Sequence, residues 1–85
     1  MKVYILFSEK SSRYYVGQTA DIIKRLKRHN QGLVQSTKGS TPWKLVLQID
    51  VSNRSEAVVL ERKIKKRGAK RYLNDNQFGV YHAVA

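Results

Sequence analysis

The sequence contains no cysteine among its 85 residues. This absence excludes disulfides, thiolate metal sites and a cysteine nucleophile, and it fits a reducing cytoplasmic location. Long apolar runs are also missing, since no stretch approaches the roughly 20 residues needed to span a bilayer. The apolar run at residues 3–7 is followed by polar residues and lacks a small-residue cleavage site, so we do not interpret it as a signal peptide. We expect one cytoplasmic domain with no membrane partner, in which 41% hydrophobic residues supply a modest core.

Acidic residues are scarce. Six Asp and Glu face seventeen Lys and Arg, which gives a net charge of +11. Such an excess causes self-repulsion in a folded chain, so a polyanionic partner is its natural explanation, and nucleic acid is the first candidate. A ribosomal or other purely binding protein would show the same charge. An anionic membrane surface is less favoured, because no basic helix carries a broad aromatic or leucine face.

Three segments have the pattern of β-strands. Residues 2–8 and 13–18 are predicted to be strands whose successive side chains point to opposite faces, and the polar residues 9–12 between them predict a hairpin. The composition of residues 35–42 predicts a loop. Strict alternation over residues 43–51 predicts a third strand with a single buried face.

The helices are predicted between and after these strands. The first follows the hairpin, with Thr19 as its N-cap and Gly32 just beyond its end. Its buried stripe is expected to contain Ile22, Ile23 and Leu26.

A second helix is expected to begin at Asn53 or Ser55, with Glu56 in a capping box. It runs to about Arg67 and stops at Gly68. A short third helix is predicted over residues 69–74. The remaining residues 75–85 form a C-terminal tail, in which Phe78, Val80 and Tyr81 could pack back as a tail or edge strand.

One carboxylate lies in the apolar stripe of the second helix. At about 100° per residue, Ala57, Leu60 and Ile64 share a face, and Glu61 falls on that face too. A carboxylate there needs a partner or a cation. A salt bridge to one of the many basic residues is the more common case, and a metal ligand is the functional alternative, because Mg²⁺ is often held by one or two carboxylates with waters and phosphates.

Other side chains could carry chemistry, although each has an ordinary structural interpretation. Arg25 and His29 are four residues apart and stack on one flank of the first helix, where they could serve a groove, whereas His29 alone would be an ordinary boundary histidine. Tyr4 and Tyr15 could share a face of the hairpin, either as packing or as a general acid or base. The sequence has no glycine-rich phosphate loop, paired metal-binding histidines or serine elbow.

The order and spacing of these residues resembles the GIY-YIG nuclease superfamily. Lys2-Val3-Tyr4 stands where the family has Gly-Ile-Tyr, and Tyr15-Val16-Gly17 stands where it has Tyr-Ile-Gly. Arg25 lies ten residues after Tyr15, as the family's helical arginine does. His29 follows four residues later, and Glu61 matches the metal-binding glutamate of the second helix.

The resemblance covers residues 2–74, which are the expected domain core. The run at residues 64–73 looks like small stand-alone bacterial members, and Asn74 loosely matches a late asparagine of the family. Two positions depart from the pattern. Lys2 replaces a glycine that carries no chemistry, and Gln18 stands where excision-repair members often have a lysine, which weakens an expectation of repair-type specificity.

The resemblance implies an α/β fold in which helices flank a small three-stranded antiparallel sheet, in the order β-β-α-β-α-α. It implies a metal-dependent endonuclease in which Glu61 holds Mg²⁺ or Mn²⁺ and Arg25 clamps the phosphate. Tyr15, with Tyr4 or His29, would activate water, and Asn74 completes the expected catalytic set. The residues expected to bind nucleic acid, with DNA preferred, are Lys24, Lys27, Arg28, Lys65, Lys66, Lys70 and Arg71.

Two alternatives remain. A basic nucleic-acid-binding module on the same fold would cut poorly or not at all, although all the chemistry-bearing positions are retained. A ribosomal-type protein would explain the charge but not Glu61 in an apolar face. Because 85 residues leave little room for a specificity domain, a partner protein or a homodimer is the expected source of specificity.

Overall fold

A three-stranded antiparallel sheet forms the centre of the protein. The computed structural model describes residues 1–76. Strands β1 (Lys2–Ser8) and β2 (Arg13–Thr19) form the predicted hairpin, in which Ser12 adopts a positive φ of 54°. Strand β3 (Lys44–Asp50) pairs with the other side of β1, so the order is β2-β1-β3. The middle strand is therefore buried on both faces, which explains its apolar run.

Three α-helices complete the fold of residues 1–76. They are α1 (Ile22–Asn30), α2 (Arg54–Arg67) and α3 (Ala69–Asp75), and a 3₁₀ turn (Lys38–Ser40) interrupts the predicted loop. The order β-β-α-β-α-α confirms the predicted α/β fold. Among the described residues, no helix has the length and apolar character needed to cross a membrane. The predicted packing of Phe78, Val80 and Tyr81 lies outside the described residues.

The helices lie on both faces of the sheet and give it two cores. Alternation along β1 sends neighbouring side chains to opposite faces. The core between the sheet and α2 and α3 is built from Val3, Ile5, Val16, Ala57, Ile64 and Leu73. The core between the sheet and α1 is built from Tyr4, Leu6, Ile22 and Trp43, with Tyr15, Leu26 and Leu45 packed against it. The edge of β2 is thus flanked by α1 on one side and by α2 on the other.

The third strand does not have the single buried face that its alternation predicted. Leu45 pairs with Leu6, whereas Leu47 pairs with Ile5, so one extra residue is inserted in β3 between them. This β-bulge shifts the alternation of side chains along β3 by one residue, so side chains before and after it that strict alternation would place on one face point to opposite faces. As a result Leu45 packs in the core beside α1, and Leu47 packs in the core beside α2.

Two further predictions, both about the first helix, are wrong. Its N-cap is Asp21, whose carboxylate accepts a hydrogen bond from the Lys24 N–H at 3.0 Å, and not Thr19, which ends β2. Ile23 is 80% exposed, because the buried face is set by Ile22, Leu26 and the deeper His29. A residue one position from Ile22 is rotated by about 100° and points away from the sheet.

The second helix follows its sequence signals. Asn53 caps it by accepting a hydrogen bond from the Glu56 N–H at 2.9 Å, and the Glu56 carboxylate reaches back to the Ser52 N–H at 2.8 Å. Gly68, with φ of 94°, ends it as predicted. Ala57 is fully buried, which fixes the predicted apolar stripe against the sheet.

Candidate active site

Two tyrosines meet on the α1 side of the sheet. Leu6 pairs with Tyr15 and Tyr4 pairs with Gly17, so the two aromatic side chains share a face, as predicted. Their ring centroids are 6.2 Å apart. Tyr4 is fully buried, whereas Tyr15 is half-buried at the edge strand. Of the two phenols, Tyr15 is the one that solvent can reach.

Gly17 gives the Tyr4 ring its space. A β-carbon at Gly17 would lie 2.6 Å from the Tyr4 Oη and 2.7 Å from its Cζ, which is far inside van der Waals contact. The glycine of the Tyr15-Val16-Gly17 triplet is therefore required for packing, since it lets the Tyr4 ring lie against the β2 backbone.

We expect Gly17→Ala to lower the free energy of unfolding by about 1–3 kcal/mol, the usual cost of overpacking a core. The buried Tyr4 ring would have to move, because the clash involves its ring carbon as well as its hydroxyl. Urea denaturation measures the effect. Gly39→Ala is the matched control, since a β-carbon there meets nothing within 4 Å. Equal stabilities for the two variants would contradict the packing role of Gly17.

A buried hydrogen-bond chain runs behind Tyr4. Its Oη lies 2.9 Å from the His29 Nε2, and the His29 Nδ1 lies 2.8 Å from the Thr37 Oγ1. The Thr37 hydroxyl donates to the Val34 carbonyl oxygen at 3.3 Å. Because a carbonyl only accepts, this order assigns the imidazole proton to Nδ1, and the Tyr4 hydroxyl then donates to Nε2.

Within this hydrogen-bond chain, electrostatics keep both Tyr4 and His29 neutral. Burial, and then the charge of Arg25, lower the pKa of His29, which favours the neutral imidazole. The pKa of Tyr4 is raised well above its ordinary value, first by burial, then by Tyr15, with a further contribution from Glu61, while Arg25 acts to lower it. Tyr4 therefore keeps its proton at neutral pH, and its electrostatic neighbours include three of the predicted site residues.

His29 does not lie where the helix pattern placed it. The prediction put it with Arg25 on the flank of α1, beside an open groove. It is fully buried instead, with Tyr15 edge-on to its ring at a centroid distance of 4.9 Å. The helix turns it toward the sheet because it lies seven residues after Ile22, on the same face.

Glu61 lies on the other side of the β2 edge, in a small cavity. Its side chain is 18% exposed. The Gln18 Nε2 donates to its Oε1 at 3.0 Å, and the Lys65 Nζ donates to its Oε2 at 2.7 Å. The cavity has a volume of about 190 Å³. It is lined by Gln18, Val58, Glu61, Arg62 and Lys65. The salt bridge considered from the sequence is therefore present, and the carboxylate also faces a space that solvent can enter.

Within the described part of the chain, Glu61 is the one acidic residue lining this cavity, beside Arg62 and Lys65, so its carboxylate could anchor a divalent cation if Lys65 moved away. Lys65 is 56% exposed, so its ammonium group can leave Glu61 at little cost. Mg²⁺ commonly uses one or two carboxylates and takes its remaining ligands from water and substrate phosphates. Within residues 1–76, no group of three or more His, Asp or Glu side chains could hold a metal alone. An ion at Glu61 would need water and substrate to complete its coordination.

The other predicted site residues are spread around this edge. Arg25 is half-buried on α1, and Asn74 is exposed on α3 and does not line the cavity of Glu61.

Every lysine and arginine predicted to bind nucleic acid is exposed: Lys24, Lys27, Arg28, Lys65, Lys66, Lys70 and Arg71. Lys65, Lys70 and Arg71 line one larger cleft. Lys66 lies nine residues after the buried Ala57, so it projects about 180° away from the sheet.

Sequence reasoning did not find two residues that hold the site together. Gln18, first noted only as a departure from the family pattern, binds Glu61. Alternation along β2 could have indicated this, because it places Gln18 on the face opposite Tyr15 and Gly17. Thr37 anchors His29 from a loop, and a loop has no periodic pattern from which that contact could be predicted.

The fold is a small α/β domain, and the candidate site has tyrosines on one side of the β2 edge and a carboxylate on the other. The sequence model of the GIY-YIG catalytic domain matches residues 1–74. The chain therefore belongs to the GIY-YIG family.

A curated relative supports this assignment. The chain is 46% identical over 50 residues to the protein called "Structure-specific endonuclease subunit SLX1" from Meyerozyma guilliermondii. The alignment covers 52% of this chain and 17% of the relative, so this chain corresponds to a small fraction of that protein. The expected kinship with bacterial members gains no support from this relative. No solved structure matches the chain.

Proposed function

We propose that the protein is a divalent-metal-dependent endonuclease that hydrolyses phosphodiester bonds in DNA. One observation carries the proposal: the carboxylate of Glu61 faces a small cavity at the edge of β2, where Gln18 holds one of its oxygens. The proposal assigns the carboxylate of Glu61 to a cation, the guanidinium of Arg25 to a phosphate and the phenol of Tyr15 to the attacking water.

Glu61 is the residue that would hold Mg²⁺ or Mn²⁺. When bound, the ion supplies Lewis-acid stabilisation of the scissile phosphate and of the leaving oxygen. Lys65 would have to release the Oε2 of Glu61, and its ammonium group would then be available to a substrate phosphate. Gln18 would keep the carboxylate oriented through its hydrogen bond to the other oxygen.

Arg25 and Tyr15 are proposed to contact the substrate and the attacking water. Arg25 supplies fixed positive charge where the phosphate gains negative charge in the transition state. Tyr15 is half-buried, so its hydroxyl can hold a water molecule. Tyr4 donates its own proton inward to His29, which leaves its oxygen as an acceptor on the side of Tyr15. Tyr4 and His29 act in this proposal as positioning residues behind Tyr15.

The substrate and partner are further proposals. The relative's name describes a structure-specific endonuclease and a subunit, which supports a DNA substrate of particular structure and a partner protein for this chain. A homodimer is the alternative source of specificity. A role in DNA repair or recombination, a catalytic role for Asn74 and a cytoplasmic location stay predictions.

A cleavage screen tests the proposed function. The full chain is incubated with branched, single-stranded and duplex DNA, in Mg²⁺ or Mn²⁺, with EDTA as the control. We expect metal-dependent cutting of at least one substrate. Binding of all three without cutting in either metal would favour the non-catalytic binding module instead.

DNA binding in EDTA should weaken steeply with salt. Of the seventeen lysines and arginines, Lys2, Lys44, Lys65 and Arg67 form salt bridges within residues 1–76, so many cations remain for phosphates. With about four to six phosphate contacts, log K against log salt should have a slope of roughly −4 to −5. Fluorescence polarisation over a salt series measures it. A flat dependence would leave the charge unexplained and favour a protein partner.

A further inference from the structure

A second and larger cleft lies beside the cavity of Glu61. Its volume is about 660 Å³, which is within the usual range for a ligand site. One wall is the start of β2, with Tyr14 and Val16, and the other is the junction of α2 and α3 at Gly68 and Ala69. The Tyr14 ring packs against Phe7 with a centroid distance of 4.8 Å, which supports it on the sheet. The cleft therefore has an aromatic, largely apolar interior on a rigid base.

The rim of this cleft is cationic. Lys65, Lys70 and Arg71 line it and are exposed, whereas Arg67 is held by two hydrogen bonds to Asp75, at 2.6 and 2.9 Å. Three cations around an apolar interior are complementary to a ligand that is flat and apolar in one part and anionic in another. A nucleotide has this chemistry, because its base can stack on an aromatic ring while its phosphates bind cations.

The cleft adjoins the proposed active site through one residue. Lys65 lines both the cleft and the cavity of Glu61, and it forms the salt bridge with Glu61. A strand whose phosphate lies at Glu61 would therefore meet Lys65 next and could place a neighbouring nucleotide in the cleft.

We propose that the cleft between β2 and the α2–α3 junction binds one unpaired nucleotide next to the scissile phosphate. Its base would stack on Tyr14, and its phosphates would contact Lys65, Lys70 and Arg71. A paired base cannot enter, because in a duplex it is stacked and covered by its partner. This inference rests on the proposed function, and it requires the substrate to have an unpaired nucleotide beside the cut.

Binding in EDTA tests the cleft without cutting. The probes are a fluorescein-labelled ten-nucleotide thymidine strand and a ten-base-pair duplex, measured by fluorescence polarisation. We expect Tyr14→Ala to weaken binding of the single strand about tenfold, the loss typical of one stacking contact, and Tyr14→Phe to retain it. Duplex binding should be the same for all three proteins. Equal loss on both probes, or no loss on the single strand, would overturn the proposal.

Charge variants test the rim. Lys70→Glu should weaken binding of the single strand more than Lys63→Glu, which makes the same change in net charge on the outer face of α2. Equal effects would mean that only the overall charge matters, which contradicts a local site.

The wild-type protein gives a measurement that does not depend on the folding of a variant. A single strand containing bromouracil is cross-linked by ultraviolet light, and the tryptic peptide that begins at Tyr14 is analysed by mass spectrometry. An adduct on Tyr14 supports the cleft, and adducts confined to α1 refute it. If the screen shows cutting but no adduct forms on Tyr14, the nucleotide site is refuted and the nuclease proposal stands. If the adduct forms but no substrate is cut, the nucleotide site stands and the nuclease proposal is refuted.

Discussion

Glu61→Gln should abolish cutting while the protein stays folded. The amide has the shape of the carboxylate but lacks the charge that would hold a divalent cation. The amide oxygen can still accept from Gln18, so the geometry of the cavity should change little. Single-turnover cleavage gives the rate, and the binding of Mn²⁺, followed by the electron paramagnetic resonance of the free ion, gives an independent measurement of the metal site. We expect both activity and the specific Mn²⁺ site to be lost.

The stability of this variant separates loss of metal from loss of structure. The salt bridge of Glu61 has an exposed partner, and such pairs are worth little, so the free energy of unfolding should change by less than about 1 kcal/mol. Glu9→Gln is the matched control, because Glu9 is an exposed carboxylate on the hairpin that also pairs with a lysine, Lys44. If Glu61→Gln cut at the rate of Glu9→Gln, Glu61 would not be the metal ligand and the proposed mechanism would be wrong.

Periodicity predicted the parts of the fold that depend on residues close together in sequence. The three strands, the helix caps at Asn53 and Gly68 and the placement of Glu61 near the apolar face of α2 all follow from local patterns. The bulge in β3 could not be predicted, because it depends on how two strands register and not on the alternation of either one. A strictly alternating sequence can therefore still present its side chains to two different cores.

The site was less predictable than the fold for the same reason. Helical spacing put Arg25 and His29 together on one flank of α1, but it could not show that His29 is buried and that a loop brings Thr37 to its ring. Nor could it show that Gln18 crosses to α2 and binds Glu61. These contacts join residues that are 8 and 43 positions apart, and each depends on tertiary packing.

Arg25→Ala should reduce the rate of cutting far more than it reduces binding. Many other cations surround the site, so the loss of one costs little affinity for a polyanion. Arg25 differs from them in position, because it is half-buried and its charge acts on both Tyr4 and His29. A contact made mainly in the transition state lowers the chemical rate without an equal loss of binding. Removing one such contact typically costs on the order of 10²–10³ in rate.

Two companion variants make this result specific. Lys63→Ala removes an exposed cation on the outer face of α2, away from both cavities, and should leave the single-turnover rate unchanged. Arg25→Lys keeps the charge and most of the packing but loses the planar fork that binds phosphate with two hydrogen bonds, so its rate should fall between wild type and Arg25→Ala. Dissociation constants in EDTA and single-turnover rates are compared on one substrate. Similar small changes in rate for Arg25→Ala and Lys63→Ala would place Arg25 among the ordinary surface cations and would favour a module that binds nucleic acid without clamping the scissile phosphate.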